Sequence, residues 1–138
     1  MRTLTLRGRK LVGGLAEGVA LVTKQPISFF GGVKPETGLV VERGHELQGK
    51  SIRGKVLVFP HGKGSTVGSY TLYALAKQGA APRAIVNLET EPIIAVGCAL
   101  TGIPLVDRLN KDPLEVIDTG DYVKILEDGT VEVRKSLA

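Results

Sequence analysis

The most informative pattern of apolar and polar positions lies in the middle of the chain. Residues 55–59 (KVLVF) are almost continuously apolar between Gly54 and Pro60. Such a run, without alternation, predicts a strand buried on both faces, as in a parallel sheet. Residues 84–88 (AIVNL) repeat the pattern, and Leu105-Val106 after Pro104 predicts a short third strand. Over residues 66–78, Val67, Tyr70, Leu72, Tyr73, Leu75 and Ala76 fall near helical spacing, and Gly79 ends the segment. Residues 92–100 are apolar on most sides. They begin with a proline suited to a first helical turn and stop before Gly102. The middle therefore reads β-α-β-α-β, with a right-handed crossover expected. The flanks read as β-rich. Residues 2–6 alternate, 18–23 form a second apolar run, and 27–30 are short and apolar before Gly31-Gly32. Residues 38–41 fit another short strand, and 122–126 and 130–133 flank Asp128-Gly129, a hairpin signal. The expectation is one α/β domain over residues 1–138, with a β-rich layer packed beside a small parallel sheet with helices.

Composition narrows the class. With 43% hydrophobic residues in 138, the chain is too apolar to be disordered. No apolar run approaches the roughly 18 residues of a membrane span. Residues 1–10 carry four basic residues but no apolar stretch follows, so no signal peptide is expected. A single cysteine excludes an internal disulfide framework, a four-cysteine zinc site and a self-contained iron–sulfur cluster. These features point to a cytoplasmic protein with no membrane partner. Glycine is in excess, at 18 residues, about twice the usual ~7%. The net charge of +4 hides a polarity. Residues 43–83 hold seven bases and one acid, whereas 84–138 hold five bases and ten acids. A basic middle fits an anionic small-molecule substrate. Its bases are spaced singly and lack the interleaved aromatics that stack on bases, so no nucleic-acid partner is expected.

The segment with most chemical content is PHGKGSTVGSY, residues 60–70. A glycine-rich turn between a buried strand and a helix offers backbone N–H groups and the positive end of a helix dipole, which together suit an anion. Lys63 adds charge. Ser65 reads either as the helix N-cap or as a hydroxyl facing a ligand, and the two readings are compatible. The spacing is not that of a P-loop. A second candidate is ISFFGGVKPETG, residues 27–38, where Ser28 precedes two phenylalanines and a glycine pair. His45 and His61 lack metal-ligand spacing, and Cys98 sits in an apolar run where cysteines usually pack rather than react. Asp107 and Arg108 follow a strand end, a common place for ligand groups.

Taken together, these segments resemble the small subunit of the aconitase X family, a stand-alone swivelling domain. The resemblance rests on Gly8-Arg9, on Gly18, on residues 27–38, on Gly49 and Gly54, and on KVLVFPHGKGSTVGSY at 55–70. It continues through 79–86 and IIAVGCALTGIPLVD at 93–107. It implies the swivelling β/β/α fold of aconitase, a hydro-lyase activity and a larger catalytic subunit as heterodimer partner. That subunit would hold an iron–sulfur cluster through its own cysteines, with no cofactor or metal bound by this chain alone. Archaeal members of the family dehydrate (R)-5-phosphomevalonate to trans-anhydromevalonate 5-phosphate in a mevalonate route to isoprenoids. Bacterial relatives dehydrate cis-3-hydroxy-L-proline, and a non-catalytic swivelling module is a further alternative. Aconitase carries a run of glycine, serine, serine and arginine whose first serine is the base; Gly64-Ser65-Thr66 matches it, which implies Ser65 as the base. Val67 stands where aconitase has its substrate-binding arginine, so citrate-like recognition is not implied. Lys63, Gly64 and Thr66 in one glycine loop, and Ser28, Gly31 and Gly32 in the other, are the expected substrate-binding residues.

Overall fold

A computed structural model describes residues 2–136. Eight strands form one mixed sheet in the order β1-β8-β7-β3-β4-β5-β6-β2. They are β1 (Thr3–Leu6), β2 (Arg9–Val12), β3 (Ala16–Val22), β4 (Val56–Phe59), β5 (Ala84–Asn87), β6 (Leu105–Asp107), β7 (Tyr122–Ile125) and β8 (Val131–Arg134), with helices α1 (Gly68–Lys77), α2 (Pro92–Thr101) and α3 (Pro113–Val116). Strand β3 joins two halves of different character. Its residues 16–19 pair antiparallel with β7, and its residues 20–22 pair parallel with β4. Beyond β4, the strands β5 and β6 continue parallel. The expected β-rich layer beside a parallel sheet is therefore present, and the two share a strand.

Every residue of β4 is buried, as its uninterrupted apolar run requires. Side chains alternate across a sheet, so the strand feeds two cores. Leu57 and Phe59 join Leu72 and Leu75 of α1, Ile94 and Cys98 of α2, and Ile27, Phe29, Val33, Val40 and Ile52 from the long excursion between β3 and β4. Val56 and Val58 face the other way, onto Leu6, Val123, Ile125, Val131, Val133 and Ile117.

The departures from the sequence reading have physical causes. Residues 27–30 and 38–41 are not strands. They make only isolated bridges, Ile27 with Gly62, Val33 with Val40 and Leu39 with Ser51. Their apolar residues are anchors dropped singly into the core from irregular chain. β2 escapes the pattern because three of its four residues are exposed. It is held at the sheet edge through Arg9, whose Nε and Nη2 donate to the two Asp107 carboxylate oxygens at 2.9 Å each. α3 is a single turn started by Asp112, whose carboxylate accepts the Leu114 N–H at 2.9 Å. α1 begins at Gly68, two residues later than the spacing predicts. No helix among the described residues is long and apolar enough to cross a membrane.

Candidate active site

Leaving β4, the chain runs out past Phe59 and turns into α1 over residues 60–67. This turn is braced by the excursion that follows β3. Ile27 donates its N–H to the His61 carbonyl at 3.3 Å and accepts the Lys63 N–H at 3.0 Å. The two glycine loops picked out in the sequence are thereby laid side by side. Contact is close enough to exclude side chains. Gly64 lies in the left-handed region at φ +89°, and a β-carbon there would stand 2.7 Å from the Ser28 hydroxyl oxygen. A β-carbon on Gly32 would collide with the Ser28 carbonyl oxygen. On the far side, Glu91 fastens the turn to α2. Its carboxylate accepts the Gly62 N–H at 3.2 Å and caps α2 at the N–H groups of Ile93 and Ile94.

Ser65 is exposed at the crest of the turn. Its side chain does not cap α1: the N-cap position belongs to Val67, which makes no side-chain capping bond. Instead the Ser65 Oγ accepts the Val67 N–H at 3.1 Å, a serine turn across two residues. The Ser65 carbonyl accepts the Gly68 N–H at 2.9 Å, and the Thr66 carbonyl accepts the Ser69 hydroxyl at 3.0 Å. The N–H groups of Gly64, Ser65 and Thr66 have no acceptor among the described residues. Three successive free donors, one further N–H already on the serine oxygen, and the start of α1 just beyond make this an electropositive backbone turn.

The remaining expected site residues are distributed unevenly around Ser65. Ser28 is half-buried beside Gly64, its hydroxyl pointing to the Phe30 carbonyl at 3.4 Å. Thr66 is exposed next to Ser65. Gly31 is exposed at φ +78° with open space where a side chain would be. Gly32 is buried, and its carbonyl is taken by the N–H groups of Val41 and Glu42, so it shapes the loop from behind. Lys63 is not a free cation. Its Nζ lies 2.8 Å from a Glu42 carboxylate oxygen, and the other oxygen accepts the Ser28 N–H at 3.2 Å. Burial pushes the Glu42 carboxyl up, but the Lys63 ammonium and the Ser28 N–H outweigh it and hold the group below its ordinary range. Glu42 was not legible as a site residue: it stands alone, 21 positions before Lys63, in no motif.

Other polar residues serve the fold. His45 is buried, with Nδ1 accepting the Leu47 N–H and Nε2 donating to the Pro26 carbonyl. The His61 ring bonds the carbonyl of its neighbour Gly62 at 2.7 Å. Asp107, expected from its place after a strand, faces inward. It holds Arg9 and accepts the Thr90 N–H at 2.7 Å, while Arg108 forks onto Glu89. Cys98 is fully buried in α2, its thiol pushed up to about 12 by burial and by the nearby Glu91. It does not fit a cluster ligand, which must be an accessible thiolate. No group of three or more His, Cys, Asp or Glu among the described residues is placed to hold a metal ion.

Two apolar clefts flank the serine turn and share Val67 and Tyr70. One, of about 380 Å³, is lined by Phe30, Gly31, Val41 and Ala74 among others, and the other, of about 280 Å³, by Thr66, Ile93 and Val96. Phe30 is 55% exposed and Tyr70 66%. Both aromatic side chains thus lie largely open in the apolar clefts beside the turn.

Comparison with known proteins identifies the family and the fold. The aconitase X swivel domain family matches residues 5–133. The phosphomevalonate dehydratase small subunit of Methanosarcina acetivorans is 57% identical over 136 residues, covering 98% of this chain and 94% of that protein. Its counterpart from Thermococcus gammatolerans is 52% identical over 131 residues, covering 94% and 98%. The crystal structure of Thermococcus kodakaraensis aconitase X in its holo-form superposes with a TM-score of 0.90 at 48% identity, covering 96% of this chain and 99% of that one. With the match spanning nearly the whole chain, the protein belongs to the aconitase X swivel domain family.

Proposed function

We propose that this chain is the small subunit of a phosphomevalonate dehydratase, a hydro-lyase that removes water from (R)-5-phosphomevalonate to give trans-anhydromevalonate 5-phosphate. The observation that carries the reading is the exposed Ser65, set in a turn whose backbone donors all favour negative charge. Near-complete alignment with relatives bearing that name supports the substrate.

Dehydration removes a proton from carbon and hydroxide from its neighbour. In this reading the Ser65 alkoxide takes the proton, the released electron pair forms the C=C bond, and the C–O bond breaks. A serine hydroxyl is a weak base in water, so its ionised form must be stabilised by its surroundings. The Val67 N–H already donates to Oγ, and hydrogen bonding to the charged form favours that form. The free N–H groups at Gly64, Ser65 and Thr66 and the first turn of α1 add positive potential that costs no reorganisation when charge develops. Lys63 and Thr66, with Ser28 and Gly31 on the facing loop, line the approach for the anionic substrate. In this reading the larger subunit holds the iron–sulfur cluster expected of the family, which would supply the Lewis acid for the departing hydroxide. The subunit seats on the apolar face of Phe30, Val67 and Tyr70, and the resulting heterodimer works in the cytoplasm.

The substrate assignment is tested by reconstituting the pair and offering it (R)-5-phosphomevalonate and cis-3-hydroxy-L-proline separately. Turnover of the phosphorylated acid alone is expected. Turnover of the hydroxyproline alone would replace the substrate while leaving the serine chemistry in place.

A further inference from the structure

We propose that Glu42 is a positioning residue of this site: its carboxylate grips the Lys63 ammonium and the Ser28 amide together, and so fixes the cation that receives the substrate's anionic group. The inference rests on the reading of Lys63 as a substrate-binding residue.

Three separate segments meet at this one carboxylate. One oxygen accepts the Ser28 N–H at 3.2 Å, and the other lies 2.8 Å from the Lys63 Nζ. The Glu42 N–H is itself tied to the Gly32 carbonyl at 3.1 Å. A β-carbon on Gly32 would come within 3.3 Å of the Glu42 carboxylate, so the group occupies room that the glycine leaves open. The Glu42 side chain is 22% exposed and that of Lys63 47%, so the anchor is the more buried partner and the cation the more exposed one. A half-exposed pair adds little to stability. Its consequence is geometric. A lysine carries a compact charge on a flexible stem with three donors. With one donor held by Glu42, the ammonium is fixed in the polar cleft that Lys63 and Glu42 line with Pro26, Arg43 and His45, on the stretch of chain that leads into Ser65, and its other two donors remain for an anion.

The alternative role for the same contact is a carboxylate that merely damps the lysine's charge. The two roles give opposite signs. If Glu42 positions Lys63, then Glu42→Gln, which keeps an oxygen for the Ser28 N–H but loses the charge, weakens substrate binding much as Lys63→Met does. If Glu42 damps Lys63, the same substitution tightens binding.

The test is a double-mutant cycle in the reconstituted heterodimer, with KM and kcat measured for (R)-5-phosphomevalonate. Lys63→Met is expected to raise KM about tenfold when Glu42 is intact, but less than about threefold in the Glu42→Gln background. Glu42→Gln alone is expected to raise KM by a similar factor with subunit association intact. An unchanged or lowered KM in Glu42→Gln, or a Lys63→Met effect equal in both backgrounds, overturns the proposal. Should Glu42→Gln fail to assemble, Glu42→Asp takes its place, since the shorter acid keeps the charge but does not span both partners. A raised KM supports positioning, and a normal KM overturns it. Ser65→Ala is read separately through kcat, so failure of the base assignment and failure of this coupling leave different signatures.

Discussion

Ser28 and Gly64 show how far this site depends on single atoms. The Gly64 backbone sits at φ +89°, and the space for its side chain is filled by the Ser28 hydroxyl. Gly64→Ala therefore meets two penalties, a left-handed backbone worth about 1–2 kcal/mol for a residue with a β-carbon and a collision with Ser28. Urea denaturation should show the variant less stable by at least the first amount. Ser28→Ala in the same chain removes the colliding oxygen but not the backbone strain, so it should recover part of the loss. Full recovery, or no loss to begin with, would show that the two loops are less closely fitted than described. At this scale the sequence was legible in part. Ser65, Gly64 and Ser28 stand in compact motifs, and the structure brings them together. The N-cap reading of Ser65 misplaced its bond, because a serine turn and an N-cap have the same local signature. Glu42 carried no signal, since its role comes from the fold bringing residues 28, 42 and 63 to one point.

At the scale of elements, uniform burial was the most readable feature. Residues 55–59 and 84–88 announced β4 and β5 because both faces of each strand are covered. The irregular stretch between β3 and β4 misled, since Ile27, Phe29, Val33 and Val40 are as buried as strand residues without belonging to strands. Apolar spacing reports burial, not backbone conformation. The edge strand β2 depends on a polar device instead. Burial pushes the Asp107 carboxyl up, but Arg9 and the Thr90 amide and hydroxyl together hold it below its ordinary 3.8. Burial likewise pushes Asp121 up, and Lys135 with the Asp118 and Ser136 N–H groups brings it below the same value. A carboxylate with a lowered folded pKa contributes stability that is present above its unfolded value and lost as pH falls through the folded one. The urea midpoint should therefore hold from neutrality to about pH 4 and decline below it. Asp107→Asn should start lower at neutral pH and converge on the parent protein in strong acid. Parallel curves throughout would remove Asp107 from the account.

At the scale of the whole molecule, the proposed function makes this chain one side of a site shared with a larger subunit. Part of its glycine excess, at Gly32 and Gly64, serves the close apposition of two loops, while most of the rest turns the chain elsewhere, and its lone cysteine is packed away from chemistry in α2. Exposed Phe30, Val67 and Tyr70 line one apolar cleft beside the serine turn and make a face with no cover within the described residues. Tyr70→Glu places a charge at the centre of that face while touching none of the core. The variant chain should fold with an unchanged thermal midpoint yet fail to co-elute with the larger subunit; normal co-elution would move the interface elsewhere. Such a face was only partly legible from the chain, because the spacing that marks Val67 and Tyr70 as helical does not say which side of the helix the fold leaves open.

In the proposed mechanism this chain contributes the base. That role is tested most directly by single-turnover dehydration of (R)-5-phosphomevalonate in a heterodimer carrying Ser65→Ala. The substitution removes one exposed oxygen and leaves the core untouched. Assembly and substrate binding should survive, while the rate falls by about three orders of magnitude or more, the scale on which loss of a reacting group is felt. A variant pair that assembles and turns over near the parent rate would contradict the account.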